Sequence, residues 1–182
     1  LRRVDVKGGV GRIFEYFGPG VKSLSVPDRA TITNMGTETG CTTSIFPSDA
    51  VTRAFLKAQG REDQWVKLDA EGRHPFDEVI EIDLAALEPL AATPHSPGAV
   101  KSIREVGRIA VQQVCIGSCT NSSLKDMKVA AAVLRGKTIA PHLHLTVNPG
   151  SRQVVEHLVA RGDLRALGAA GARILEHACG PC

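Results

Sequence analysis

A short β-branched run at residues 111–116 ends at Gly117 and is followed by a helical pattern over residues 123–134. This unit constrains the chain more than any other feature, because the pattern then recurs. Residues 143–147 read as a second strand, Asn148-Pro149-Gly150 as a turn and residues 151–160 as a helix. A short helix at 163–167 and a strand at 173–175 complete the series. Strands alternating with helices predict α/β layers around a mostly parallel sheet. In such sheets the C-terminal ends of the strands share one edge, and ligands bind there. Two cysteine motifs fall after strands: Gly117-Ser118-Cys119-Thr120-Asn121, and Cys179-Gly180-Pro181-Cys182.

The first half is less regular. Glycine-rich turns flank a short strand at residues 13–17. Pro27-Asp28 opens a helix carrying Ala30, Ile32 and Met35, which ends among Gly36 and Gly40. Residues 42–46 are β-branched and aromatic and predict a buried strand. Ser48 or Asp49 caps a helix that stops at Gly60. Residues 61–75 are polar and irregular, and residues 78–84 alternate like a strand. Pro89, Pro94, Pro97 and Gly98 predict a linker or crossover, which places a domain boundary between residues 1–98 and 99–182.

Composition excludes several classes. The 182 residues can bury a sizeable core, and 43% hydrophobic content argues against disorder. The net charge of +3 arises from scattered residues, with no basic run interleaved with aromatics, so a nucleic-acid groove is not expected. No apolar stretch approaches membrane-spanning length, and no signal-peptide pattern opens the chain. Five cysteines without a secretory signal suggest metal binding or reactive thiols in a reducing cytoplasm or, in a eukaryote, a mitochondrial matrix. The chain starts at Leu1 and stops at the candidate ligand Cys182, so it reads as a piece of a longer protein.

Cys119, Cys179 and Cys182 can hold a metal or a cluster and leave one coordination position open, which suits a Lewis acid. Cys115, inside an apolar strand, and Cys41 read as packing residues. Cys-Gly-Pro-Cys also occurs in thiol-disulfide oxidoreductases, where a helix follows the first cysteine and lowers its pKa. No helix is expected after the motif in this reading, and Ala178 precedes it. A structural zinc module would need a fourth ligand, for which His177 is a candidate. Glu38, taken by itself, reads as a solvated helix-end residue.

Three stretches in order resemble aconitase and the wider family of 4Fe–4S hydro-lyases, including isopropylmalate isomerase and homoaconitase. They are Ile116-Gly117-Ser118-Cys119-Thr120-Asn121-Ser122-Ser123, Ala178-Cys179-Gly180-Pro181-Cys182, and the loop at residues 34–47 with Asn34-Met35-Gly36-Thr37-Glu38-Thr39-Gly40. Gly18-Pro19-Gly20 and Pro149-Gly150-Ser151 extend the match over almost the whole chain. The resemblance implies three-layer α/β/α domains and a 4Fe–4S cluster held by Cys119, Cys179 and Cys182. It implies that the fourth iron binds substrate as a Lewis acid, with Glu38 and Asn34 beside it. The expected substrate is a small hydroxy tricarboxylate or dicarboxylate. The first reading is citrate–isocitrate isomerisation through cis-aconitate; isopropylmalate or homoaconitate are the alternatives.

Other family elements have no match here. The upstream Asp, Ser and His residues, the downstream substrate arginines and the serine base of a swivelling domain are expected from the rest of the parent enzyme, so the chain alone is expected to be inactive. Cys41 replaces the small alanine of the family loop. The six histidines, including His74, match no family histidine motif. An RNA-binding relative has little support from the weak charge.

Overall fold

The computed structural model describes residues 1–69, 75–118 and 120–180. Cys119, Cys182 and His74 therefore lie outside the described residues. The chain forms two compact units, Leu1–Gly107 and Arg108–Cys182. Among the described residues no helix is long and apolar enough to cross a membrane.

In the first unit, β1 (Ile13–Glu15) and α1 (Val26–Gly36) precede β2 (Thr43–Ile45), which pairs with β1 in parallel. Ser25 starts α1 through a capping box. Its backbone N–H donates to Asp28 Oδ2 at 3.0 Å, while its hydroxyl accepts from the Asp28 N–H. The box satisfies N–H groups that the first helical turn leaves without partners. Asp49 caps α2 (Ala50–Ala58), accepting from the N–H groups of Val51 and Thr52.

The buried strand expected at residues 42–46 forms as β2 but is not buried. Thr43 and Ile45 are exposed and only Ser44 is half-covered. A β-branched run secures the extended backbone, whereas burial requires neighbours on both faces. The strand expected at 78–84 does not form. Its alternating residues run without a strand partner, and Val79, Ile80 and Ile82 are exposed.

The segment read as a linker is instead a hairpin. β3 (Leu90–Ala92) pairs antiparallel with β4 (Val100–Ser102), and the Thr93 N–H donates to the Ala99 carbonyl at 2.9 Å. Pro94, Pro97 and Gly98 occupy the loop between the strands, where no ladder N–H is needed. A short helix, α3 (Ile103–Val106), ends the unit, capped by Ser102 and Glu105.

The second unit carries the regular pattern. β5 (Gln113–Ile116), α4 (Leu124–Leu134), β6 (His144–Val147), α5 (Arg152–Ala160), α6 (Asp163–Ala169) and β7 (Ala172–Ile174) follow in order. The three strands form a parallel sheet in the order β5-β6-β7, with Val114 opposite Leu145 and Leu145 opposite Ala172. The chain is α/β with mostly parallel sheets, as its strand–helix alternation predicts.

The helices α4, α5 and α6 pack on one another, and their apolar faces meet the sheet. Met127, Ala131, Leu145, Val147, Leu158 and Leu167 form the buried core, with Val114 and Ile116 packed against it. Side chains alternate across a strand, so Cys115 faces away from this core. It is exposed rather than packed as expected. Asp163, buried at the start of α6, accepts from Arg135 at 2.6 Å and from Arg161 at 2.8 Å. This ties the end of α4 to the start of α6.

Candidate functional site

The C-terminal edge of the β5-β6-β7 sheet is assembled from backbone outward. The Asn148 N–H donates to the Ile116 carbonyl at 2.9 Å, and the Leu175 N–H donates to the Val147 carbonyl at 2.9 Å. The ladder thus continues one step past each strand and brings the segments after β5, β6 and β7 together. These are the segments that carry the two cysteine motifs.

Ser122 folds the loop that contains position 119. Its hydroxyl accepts from the Ser118 N–H at 2.7 Å and also meets the carbonyls of Ser118 and Thr120. Ser118 and Ser122 are both buried. The Ser122 carbonyl accepts from the Gly150 N–H at 3.0 Å, joining this loop to the Asn148-Pro149-Gly150 turn. The small residues here are required by contact. At Gly117, φ is +85°, and a Cβ would stand 2.3 Å from the Asn148 carbonyl oxygen. At Gly150 a Cβ would stand 2.8 Å from the Ser122 carbonyl oxygen.

Asn148 completes the edge. It is fully buried, and its side-chain amide donates to the Glu176 carbonyl at 3.1 Å. It lies beneath Gly180, where an added Cβ would be 2.7 Å from Nδ2. The neighbouring Cys179 is exposed. Sequence reasoning assigned Asn148 only to a turn and gave Ser122 no role. The available signal was a polar residue at a strand's C-terminal end, where the backbone stops consuming hydrogen bonds.

Of the three cysteines expected to act together, only Cys179 is among the described residues. Among those residues no group of three or more His, Cys, Asp or Glu is close enough to hold a metal ion. Cys41, Cys115 and Cys179 are thiols. Cys41 belongs to the first unit and packs as expected, its Sγ–H donating to the Gly36 carbonyl at 3.1 Å. Asn34 and Glu38 also belong to the first unit. Asn34 lies in the last turn of α1 and Glu38 in the 3-10 turn that follows, four residues on, and both are exposed.

The sequence has clear relatives. Over all 182 residues it is 37% identical to a 3-isopropylmalate dehydratase large subunit of Caldanaerobacter subterraneus subsp. tengcongensis, covering 43% of that protein. It is 36% identical to the Clostridium botulinum large subunit over 179 residues, which is 98% of this chain and 42% of the relative. With large subunit 1 of Thermotoga maritima it shares 36% identity over 177 residues, 96% of this chain and 42% of the relative. The chain therefore spans less than half the length of these curated relatives. A model of the aconitase family (aconitate hydratase) matches residues 1–109 and 100–182. Matched from end to end, the chain belongs to the aconitase family.

Proposed function

We propose that this chain supplies the cluster-binding part of a hydro-lyase that isomerises a hydroxy acid by dehydration and rehydration. The convergence of the segments after β5, β6 and β7 at one sheet edge carries the reading. Cys119, Cys179 and Cys182 belong to those segments and would hold a 4Fe–4S cluster. When bound, the cluster supplies a Lewis acid for departure of the substrate hydroxyl.

The edge suits such a group. Gly117 and Gly150 keep the backbones close, and Gly180 rests against the Asn148 side chain; a Cβ would collide at each. The buried Asn148 retains an unused acceptor, Oδ1, at the same place. Ser122 fixes the loop on both sides of position 119. Glu38 offers an exposed carboxylate that would accept a hydrogen bond from a water on such a group, and Asn34 an amide that would contact cluster sulfur or an adjacent ligand. Both assignments rest on the family resemblance.

The substrate reading moves from citrate to 3-isopropylmalate. The three relatives described above are all named 3-isopropylmalate dehydratases, so the alternative weighed from sequence is better supported than the citrate reading. Their description as large subunits supports a companion subunit as partner, beside the remaining domains that the family resemblance calls for.

Anaerobic reconstitution with ferrous iron and sulfide, followed by iron analysis, absorption and EPR, tests the reading. The wild-type chain should take up iron, and Cys119→Ser should take up less. Unchanged iron content in Cys119→Ser sinks the three-thiolate assignment. In the reconstituted parent enzyme, which would carry the substrate arginines, 3-isopropylmalate should perturb the EPR spectrum of the reduced cluster at concentrations where citrate does not. An equal response to citrate overturns the substrate assignment.

A further inference from the structure

We propose that Asn148 is a positioning residue for the Cys179–Gly180 segment, a role that rests on the cluster-binding reading above. The residue stands where β6 ends and is fully buried. Its backbone is held by the sheet, through its N–H to the Ile116 carbonyl. Its side chain reaches the next segment and donates from Nδ2 to the Glu176 carbonyl at 3.1 Å. One residue thereby ties the rigid sheet to the chain three residues before Cys179.

The contact continues under Gly180. An added Cβ there would lie 2.7 Å from Nδ2, 3.3 Å from Cγ and 3.4 Å from Oδ1. The amide is thus the floor on which Gly180 rests, and glycine, at φ +39°, allows that approach. Oδ1 has no hydrogen-bond partner among the described residues. A buried acceptor without a donor is costly, so an apolar side chain would be expected here if only packing mattered. The Ala178 N–H already turns back to the Glu176 carbonyl at 2.9 Å. That carbonyl accepts two hydrogen bonds, and removal of Asn148 leaves only the local one to define the bend before Cys179.

The loop carrying position 119 is anchored to the same place. Gly117 abuts the Asn148 carbonyl oxygen, where a Cβ would be 2.3 Å away. Asn148 therefore touches both cysteine-bearing segments, through its carbonyl on one side and its amide on the other. Its amide sets the spacing between them without being a ligand itself.

Amide hydrogen exchange of the wild-type chain, read by NMR, tests this without a cluster. In Asn148→Ala the exchange rate of the Ala178 N–H, which turns back to the Glu176 carbonyl, should rise about tenfold, the change expected when opening becomes easier by roughly one hydrogen bond. The rate at the Met127 N–H, inside α4, should stay the same. After ferrous iron and sulfide reconstitution the variant should hold less than half the wild-type iron. Gly180→Ala should give both changes from the other side of the contact, and it tests the role if Asn148→Ala does not fold. Leu158→Ala, a core variant, should lower stability and leave the Ala178 rate unchanged. Unchanged Ala178 rates in the variants that fold overturn the positioning role, as does a rise equalled by Leu158→Ala. Wild-type chain that takes up no iron overturns the cluster-binding reading instead, and the exchange contrast still decides the role of Asn148.

Discussion

The guanidinium of Arg29 and the carboxylate of Asp49 meet side by side, Nη1 to Oδ1 at 2.9 Å and Nη2 to Oδ2 at 2.7 Å. Arg29 is buried on α1, and it also donates to the carbonyls of Leu24, Val21 and Pro47. Asp49 meanwhile caps α2. The pair thus fastens α1, the turn before it and the start of α2. A planar guanidinium can make these contacts at once, which an ammonium cannot.

The Arg29 hydrogen bonds hold the Asp49 carboxyl below its ordinary value of 3.8, against an opposing effect of burial. A carboxylate with a lowered folded pKa contributes stability above its unfolded pKa and loses it as pH falls through the folded one. The first unit should therefore lose stability from pH 3.8 downward. Asp49→Asn keeps the capping oxygen and should flatten that part of the profile. Arg29→Met should cost about 2–3 kcal/mol, less than for a fully buried pair because Asp49 stays partly solvated. Urea denaturation across pH checks both.

Ser122→Ala removes the partner of the buried Ser118 N–H and a contact of the Thr120 carbonyl. A buried group left without its partner costs about 1–3 kcal/mol. The same variant should take up less iron on reconstitution. Ser151→Ala, which removes the cap of α5, should cost about 1 kcal/mol and leave iron uptake unchanged. Denaturation and iron analysis of the two variants together make the comparison.

Gly117 and Gly136 both have positive φ, +85° and +72°, yet alanine should be tolerated only at the second. Nothing lies within 4 Å of a Cβ at Gly136, so Gly136→Ala should cost about 1 kcal/mol of backbone strain. At Gly117 the Cβ would meet a backbone oxygen at 2.3 Å and Met127 Cε at 2.8 Å. Gly117→Ala should cost more than about 3 kcal/mol, since the strand end must move. Thermal unfolding of the two variants measures the difference.

Much of the second unit was legible because its signals are local. Ser123 and Ser151 cap helices where the apolar periodicity starts, β5 and β6 form within the runs that predict them, and β7 begins one residue before its run. The first unit was harder to read. Val79, Ile80 and Ile82 alternate but find no partner strand, and the prolines near residue 94 mark a hairpin loop instead of a linker. Alternation and proline placement describe a backbone preference, and pairing is a property of distant residues.

By itself the sequence determined the α/β alternation, the caps and the placement of both cysteine motifs after strands. Tertiary structure alone decided that Cys115 faces away from the core, that Ser122 closes the loop around position 119, and that Asn148 lies beneath Gly180. Each of these depends on which chain segments the sheet register brings together. A strand carries its propensity in its own residues, but the register that sets what lies beneath a given side chain is fixed only when the neighbouring strands are in place.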